Sequence, residues 1–194
     1  MDQPTLTGAL LVATPLLEDP SFRRAVVFVI DDDVSEGTLG VIVNRPSGLE
    51  VGEVLADWGD HASHPAVMFA GGPVGAEAGL ALAVPGNGQA PLGWRSLEEM
   101  DTGVWPAGLG TIDLDTPPEV IGDALRWLRV FAGYAGWSGG QLRGEIEEGA
   151  WYVLPATAED VFCADPGSLW ARVLRRQGGD LAFVSTFPED PTLN

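Results

Sequence analysis

Glycine and proline set the first limit on this chain: 26 glycines and 15 prolines make up about a fifth of its 194 residues. Glycine favours turns that need positive φ, and proline fixes its own φ and removes an N–H donor. Elements must therefore be short and turns many. A long coiled coil or a membrane-spanning helix does not fit that pattern. Hydrophobic residues still account for 45% of the chain, enough for a folded core, and the length suits one domain.

The apolar runs read mainly as strands. Residues 25–30 (AVVFVI) form a β-rich run closed by Asp31-Asp32-Asp33, and 38–43 (TLGVIV) follow after Ser35-Glu36-Gly37, predicting a hairpin. With 9–14 they predict a sheet in which some strands are buried on both faces. Further strands are expected at 66–70, 79–84, 109–114 and 151–154.

Helices are fewer. Val51, Val54, Leu55 and Trp58 recur with helical spacing. Thr116-Pro117-Pro118-Glu119 resembles a capping box with proline at the first helical position, followed by Ile121, Leu125 and Leu128 on one face and a stop at Gly133. Asp165-Pro166 opens a last helix whose inward face is Leu169, Trp170, Val173 and Leu174, ending at Gly178-Gly179. Residues 85–106 read as a surface excursion. The expected organisation is one domain over 1–184 and a mobile tail over 185–194.

Charge narrows the partners. The ten basic residues are all arginine, against 28 acidic ones, for a net charge of −18. Both halves are acidic, so no basic segment is hidden behind the average. Non-specific DNA binding draws on phosphate neutralisation by Lys and Arg, and a chain this acidic repels a duplex. Direct DNA binding is therefore not expected. The one cysteine, Cys163, rules out an intrachain disulfide. The apolar stretch 8–17 lacks a basic flank and falls far short of the ~20 residues of a membrane span. It reads as a buried strand of a cytoplasmic protein, with no membrane contact.

Several strings carry both a structural and a functional reading. In 136–142 (GWSGGQL), Ser138 is placed to cap a helix, with Gln141 returning the bond and Trp137 packing on Leu142. Alternatively, glycines at a helix start leave N–H groups open to an anion. Gln141 and Glu145, four apart, share a helical face. Arg45, after Asn44 and before Pro46, is either a turn residue paired with an internal acid or a fork for a carboxylate or phosphate. Gly71-Gly72-Pro73-Val74 is neither a P-loop nor a dinucleotide fingerprint, and its default is a tight turn.

His61 and His64 lack a third ligand for a metal. Asp31-Asp32-Asp33 reads as a solvated turn, and Cys163 as an inert thiol without an activating base. Arg172, Arg175 and Arg176 share a helix face whose cations complement the helix dipole. Glu145 is a lone carboxylate, a poor basis for hydrolytic chemistry. No metal or cofactor is indicated, and no catalytic signature stands out.

Taken in order, residues 10–15 (LLVATP), 19–22, 41–46 (VIVNRP), 71–74 (GGPV), 134–137 (YAGW), 140–142 (GQL), Glu145-Ile146 and Trp151 resemble the AlgH/YqgE family, from about residue 7 to residue 178. The resemblance implies a bacterial α+β domain with a bent, barrel-like mixed β-sheet flanked by helices. It brings a label of putative transcriptional regulator but no established chemistry. The expected role is regulatory, exercised through protein contacts. The alternative is a binder of a small anionic ligand or nucleotide, with Asn44, Arg45, Gly71, Gly72, Trp137, Gln141 and Glu145 as its candidate site.

Overall fold

A computed structural model describes residues 4–87, 89–97, 106 and 108–189. The hairpin expected from the apolar runs is present as β2 (Val26–Asp33) and β3 (Gly37–Ile42), with β1 (Ala9–Ala13) on the far side of β2 and β10 (Trp151–Pro155) beyond it. The chain continues through β4 (Pro46–Glu50), α1 (Val51–Val54), a 3-10 turn over Ala56–His61, β5 (Val67–Ala70), β6 (Val74–Pro85), β7 (Trp94–Ser96) and β8 (Gly110–Ile112). After α2 (Pro118–Ile121) come β9 (Leu125–Ser138) and α3 (Gln141–Glu147). Beyond β10, the chain ends in α4 (Ala158–Val161), α5 (Leu169–Gln177) and α6 (Gly179–Val184). The strand order is β10-β1-β2-β3-β9-β6-β8-β7, and β5, carrying β4, pairs with β9. Only the β5–β9 pair is parallel among these, and the sheet curls into a half-barrel of a single-domain α+β fold.

The 14-residue β9 corrects the helix expected over 117–133: only Pro118–Ile121 and a further 3-10 turn are helical there. The physical reason is burial on both faces. Leu128 and Val130 point into one core cluster and Phe131 into another, so the apolar run shows no alternation and mimics a helical stripe. Trp127, Val130, Phe131 and Tyr134 are strand formers, and tertiary packing decides the outcome. Gly133 does not stop a helix. At φ +72° it kinks the strand where a Cβ would press on the carbonyls of Gly72 and Val74.

Arg129 on β9 is 1% exposed, yet among the described residues its guanidinium pairs with no carboxylate. It donates to the carbonyls of Val161 (3.1 Å), Cys163 (3.0 Å) and His64 (2.9 Å) and lies over the Phe69 ring. Burial lowers its pKa to about 10, which leaves it charged at neutral pH. This buried cation thus ties β9 to the segment that leads into α5.

The last helix forms as the sequence indicates. Leu169, Trp170, Val173 and Leu174 are all buried, each burial worth about 2 kcal/mol, and the Trp170 indole donates to the Ala13 carbonyl at 2.8 Å. Gly178 at φ +74° ends the helix, but the chain then turns into α6, which the sequence reading did not anticipate. Of the expected tail, residues 185–189 lie against the body: Arg24 donates to the carbonyls of Phe187 and Pro188. Residues 190–194 fall outside the described residues. The excursion over 85–106 contains β7, and residues 88 and 98–105 of it fall outside the described residues.

Candidate functional site

The segment with the most distinctive sequence forms a closed knot. Trp137 ends β9, Trp151 begins β10, and α3 between them carries Glu145. Glu145 Oε2 accepts the indole N–H of Trp137 and that of Trp151, each at 2.9 Å, and Oε1 accepts from the Gln141 amide at 3.0 Å. Phe22 stacks on Trp137 with centroids 5.6 Å apart and meets Trp151 edge-on at 5.5 Å. One carboxylate therefore pins two strand ends across a small second core that also contains Leu142. The cap differs from expectation. The residue before the helix is Gly140, at φ +77°, and Ser138 caps nothing; its N–H and hydroxyl donate to Gln141 Oε1. The extra glycine moves Ser138 too far back to reach the helix amides.

Asn44 and Arg45 converge on the same neighbourhood through the 19–24 loop. Asn44 accepts from the Val26 amide and donates to the Arg24 carbonyl, both at 2.9 Å, substituting for a ladder bond beside β2. Arg45 donates to the carbonyls of Ser21 and Arg23, and burial lowers its pKa. Its partners are main-chain carbonyls instead of the acid, or the ligand, that the sequence suggests. Pro46 opens β4, opposite Phe69.

Gly71 and Gly72 permit close approach, not a ligand turn. A Cβ on Gly72 would coincide with the Tyr134 carbonyl, and one on Gly71 would strike that of Gly133. The seven candidate residues thus fall into two adjoining groups, around the 19–24 loop and α3, plus a glycine pair packed against β9.

Other acidic and basic motifs are also engaged. Asp32 is buried, contrary to a solvated turn: it accepts from the Leu6 amide (2.7 Å), the Thr38 hydroxyl (2.6 Å) and Arg143 (2.7 Å). Asp33 does form the turn, and the Ser35 hydroxyl and the Ser35 and Glu36 amides hold its carboxyl below its ordinary value. Arg176 grips Asp160 with two bonds of 2.9 Å, and Arg172 approaches the buried Cys163 thiol at 2.9 Å. Among the described residues no group of His, Cys, Asp or Glu is arranged to hold a metal ion.

The open surface lies elsewhere. A groove of about 820 Å³ runs over the sheet face formed by β5, β9 and β6. Its floor includes Met68, Ala81 and Ala132, and exposed Leu49 and Val54 stand on one wall. Glu77, Asp113 and Asp115 line the opposite side, and no cation lines it among the described residues. The sequence reading missed this groove apart from Gly72. Its wall residues over 76–79 (AEAG) carry no motif, and the strands expected at 66–70, 79–84 and 109–114 give no sign that they frame a concavity. No helix among the described residues is long and apolar enough to cross a membrane.

Fold and site together define a single α+β domain built on a curled half-barrel sheet, with a tightly bonded knot at one end and an open apolar groove on one face. The profile of the AlgH-like family matches residues 10–182, and the chain belongs to that family. It is 76% identical to a UPF0301 protein of Thermobifida fusca over 194 residues, covering 100% of this chain and 98% of the relative. A crystal structure of a Corynebacterium diphtheriae protein superposes with TM-score 0.83 at 31% identity, covering 96% of this chain and 94% of the other. The solution structure of AlgH from Pseudomonas aeruginosa gives TM-score 0.67 at 26% identity, covering 97% and 98%.

Proposed function

We propose that this protein is a regulatory interaction module that acts by binding other proteins and not by direct contact with DNA. The groove carries this reading. It is an apolar, solvent-open concavity among the described residues, walled by exposed Leu49 and Val54, and an exposed apolar surface rimmed by polar groups is the usual mark of a contact site. The net charge of −18 supports the second half, since it opposes a polyanion. The alternative, a small anionic ligand, relies on donors that are engaged within the fold, both indoles fully and Arg45 and Gln141 in part: Arg45 to two carbonyls, and Gln141 and both indoles to Glu145.

A photo-crosslinking side chain placed at exposed Ala78 in the groove, and separately at exposed Glu148 after α3, tests the reading inside the native host. Discrete protein adducts from position 78 and none from 148 are expected. Identical adducts at both positions, or none at 78, would overturn it. So would tight, sequence-selective duplex binding in a gel-shift assay at physiological salt. Thermal stabilisation by nucleotides or inorganic phosphate would turn the conclusion towards the small-ligand alternative.

A further inference from the structure

Three features of the groove specify what enters it. Its charged groups are all of one sign: Glu77, Asp113 and Asp115 face the opening with no cation beside them. None of the three belongs to an ion pair, since among the described residues the ion pairs are Arg143–Asp32 and Arg176–Asp160. Its floor is open and apolar because alanine stands where the sheet would otherwise present large side chains, at Ala81 and Ala132.

The third feature is the wall, where β6 bulges out of its ladder with β9. The β6–β9 ladder skips from Val74 to Gly79, and the β6–β8 ladder contains only Leu82 and Ala83. Residues 75–78 therefore pair with neither neighbour, and Ala76, Glu77 and Ala78 are exposed. Unpaired strand backbone offers main-chain donors and acceptors to another chain.

We infer that the groove receives an extended basic segment of a partner protein, with aliphatic or aromatic side chains set over Ala81 and Ala132 and flanking Lys or Arg side chains on Glu77 and Asp115. This rests on the docking role proposed above and names its partner chemistry. Each feature excludes an occupant. A second copy of this chain would bring another −18 charges to an acidic rim. An anionic lipid or nucleic acid finds no cation there. A small hydrocarbon leaves the free strand backbone unused. A basic peptide satisfies the rim, the floor and the wall together.

Selection from a phage-displayed library of random dodecapeptides on the full chain, with counter-selection on the Ala78→Trp variant whose groove is filled, tests the inference. The enriched peptides are then labelled and titrated. Enrichment of Leu, Val, Ile or Phe flanked by Lys or Arg is expected, with amide shifts on binding confined to residues around 76–81 and 111–115. Glu77→Gln with Asp115→Asn should weaken binding roughly five- to tenfold at low salt, and less at high salt. Glu147→Gln with Glu148→Gln, which removes the same charge from exposed positions on and after α3, should change it less than twofold.

Asp113 is left intact because its carboxylate accepts the Asp115 amide at 2.9 Å and shapes the turn. Equal loss from both double variants would reduce the effect to net charge and overturn the inference. An uncharged or acidic consensus that still fails on Ala78→Trp would overturn the charge selection while leaving the docking role standing. No enrichment that depends on the open groove would overturn both.

Discussion

Carboxylates occur in two contrasting settings in this molecule. Around α3 and the end of β2, Glu145 and Asp32 each accept three hydrogen bonds and hold separate elements together. Around the groove, Glu77 and Asp115 face solvent beside apolar surface, with no ion pair among the described residues. The first setting is dense in tryptophan, glycine and arginine and reads in sequence like a binding motif. The second is built from alanine, glycine and scattered acids and reads like nothing in particular. Unusual residues were recruited to close the fold, and ordinary ones leave a surface open. If that contrast is right, substitutions in the knot cost stability, and substitutions at the groove cost almost none.

The largest effect is expected at Gly72. Alanine there places its Cβ on the Tyr134 carbonyl, a clash with backbone that no rotamer relieves. Gly72→Ala should lose about 3 kcal/mol or more in urea unfolding. A loss below 1 kcal/mol would show that β5 and β9 can move apart, and that the glycine pair is not a closure device. Glu145→Ala comes next. It strands two largely buried indole N–H groups, each costing about 1–3 kcal/mol, so a loss of about 2–6 kcal/mol and a changed tryptophan emission are expected. A stable Glu145→Ala protein with unchanged emission would mean that water replaces the carboxylate easily, as in a pocket built for a ligand. Asp32→Asn keeps an acceptor for Thr38 but gives up the charge paired with Arg143. It should lose about 2 kcal/mol, and Arg143→Ala should add little once Asp32 is already Asn, because the two share one interaction.

How much of this was readable beforehand depended on whether a residue's neighbours in sequence are also its neighbours in space. The β2–β3 hairpin and the stripe of Leu169, Trp170, Val173 and Leu174 were legible because each is a local pattern with one consistent period. β9 was not, since burial on both faces erases alternation and leaves a spacing that a helix would share. The Trp137–Glu145 region was recognised as special, but its bonds run to Trp151 and its stacking to Phe22, partners that local reading does not connect. Arg129 passed unnoticed because a single arginine in an apolar run gives no sign that carbonyls from His64, Val161 and Cys163 will surround it. The groove was least legible of all. Its wall forms where the β6–β9 ladder shifts register between Val74 and Gly79, and such a shift has no sequence signature.

The smallest effect sharpens the contrast most. Glu77→Gln with Asp115→Asn removes two exposed charges that belong to no ion pair among the described residues, so unfolding free energy should change by less than about 0.5 kcal/mol. The sign is also fixed. In a chain of net charge −18 these carboxylates share the groove lining with Asp113 and, among the described residues, with no cation, so neutralising them relieves repulsion. The variant should match or slightly exceed the parent at low ionic strength, and the difference should vanish in 0.5 M salt, where the screening length falls to about 4 Å. A clear loss of stability, persisting in salt, would mean that the rim carboxylates hold the fold as Glu145 and Asp32 do. The two settings would then be one. A salt-sensitive gain would mark them as charges kept at a cost to the folded chain, which is what a surface retained for a basic partner requires.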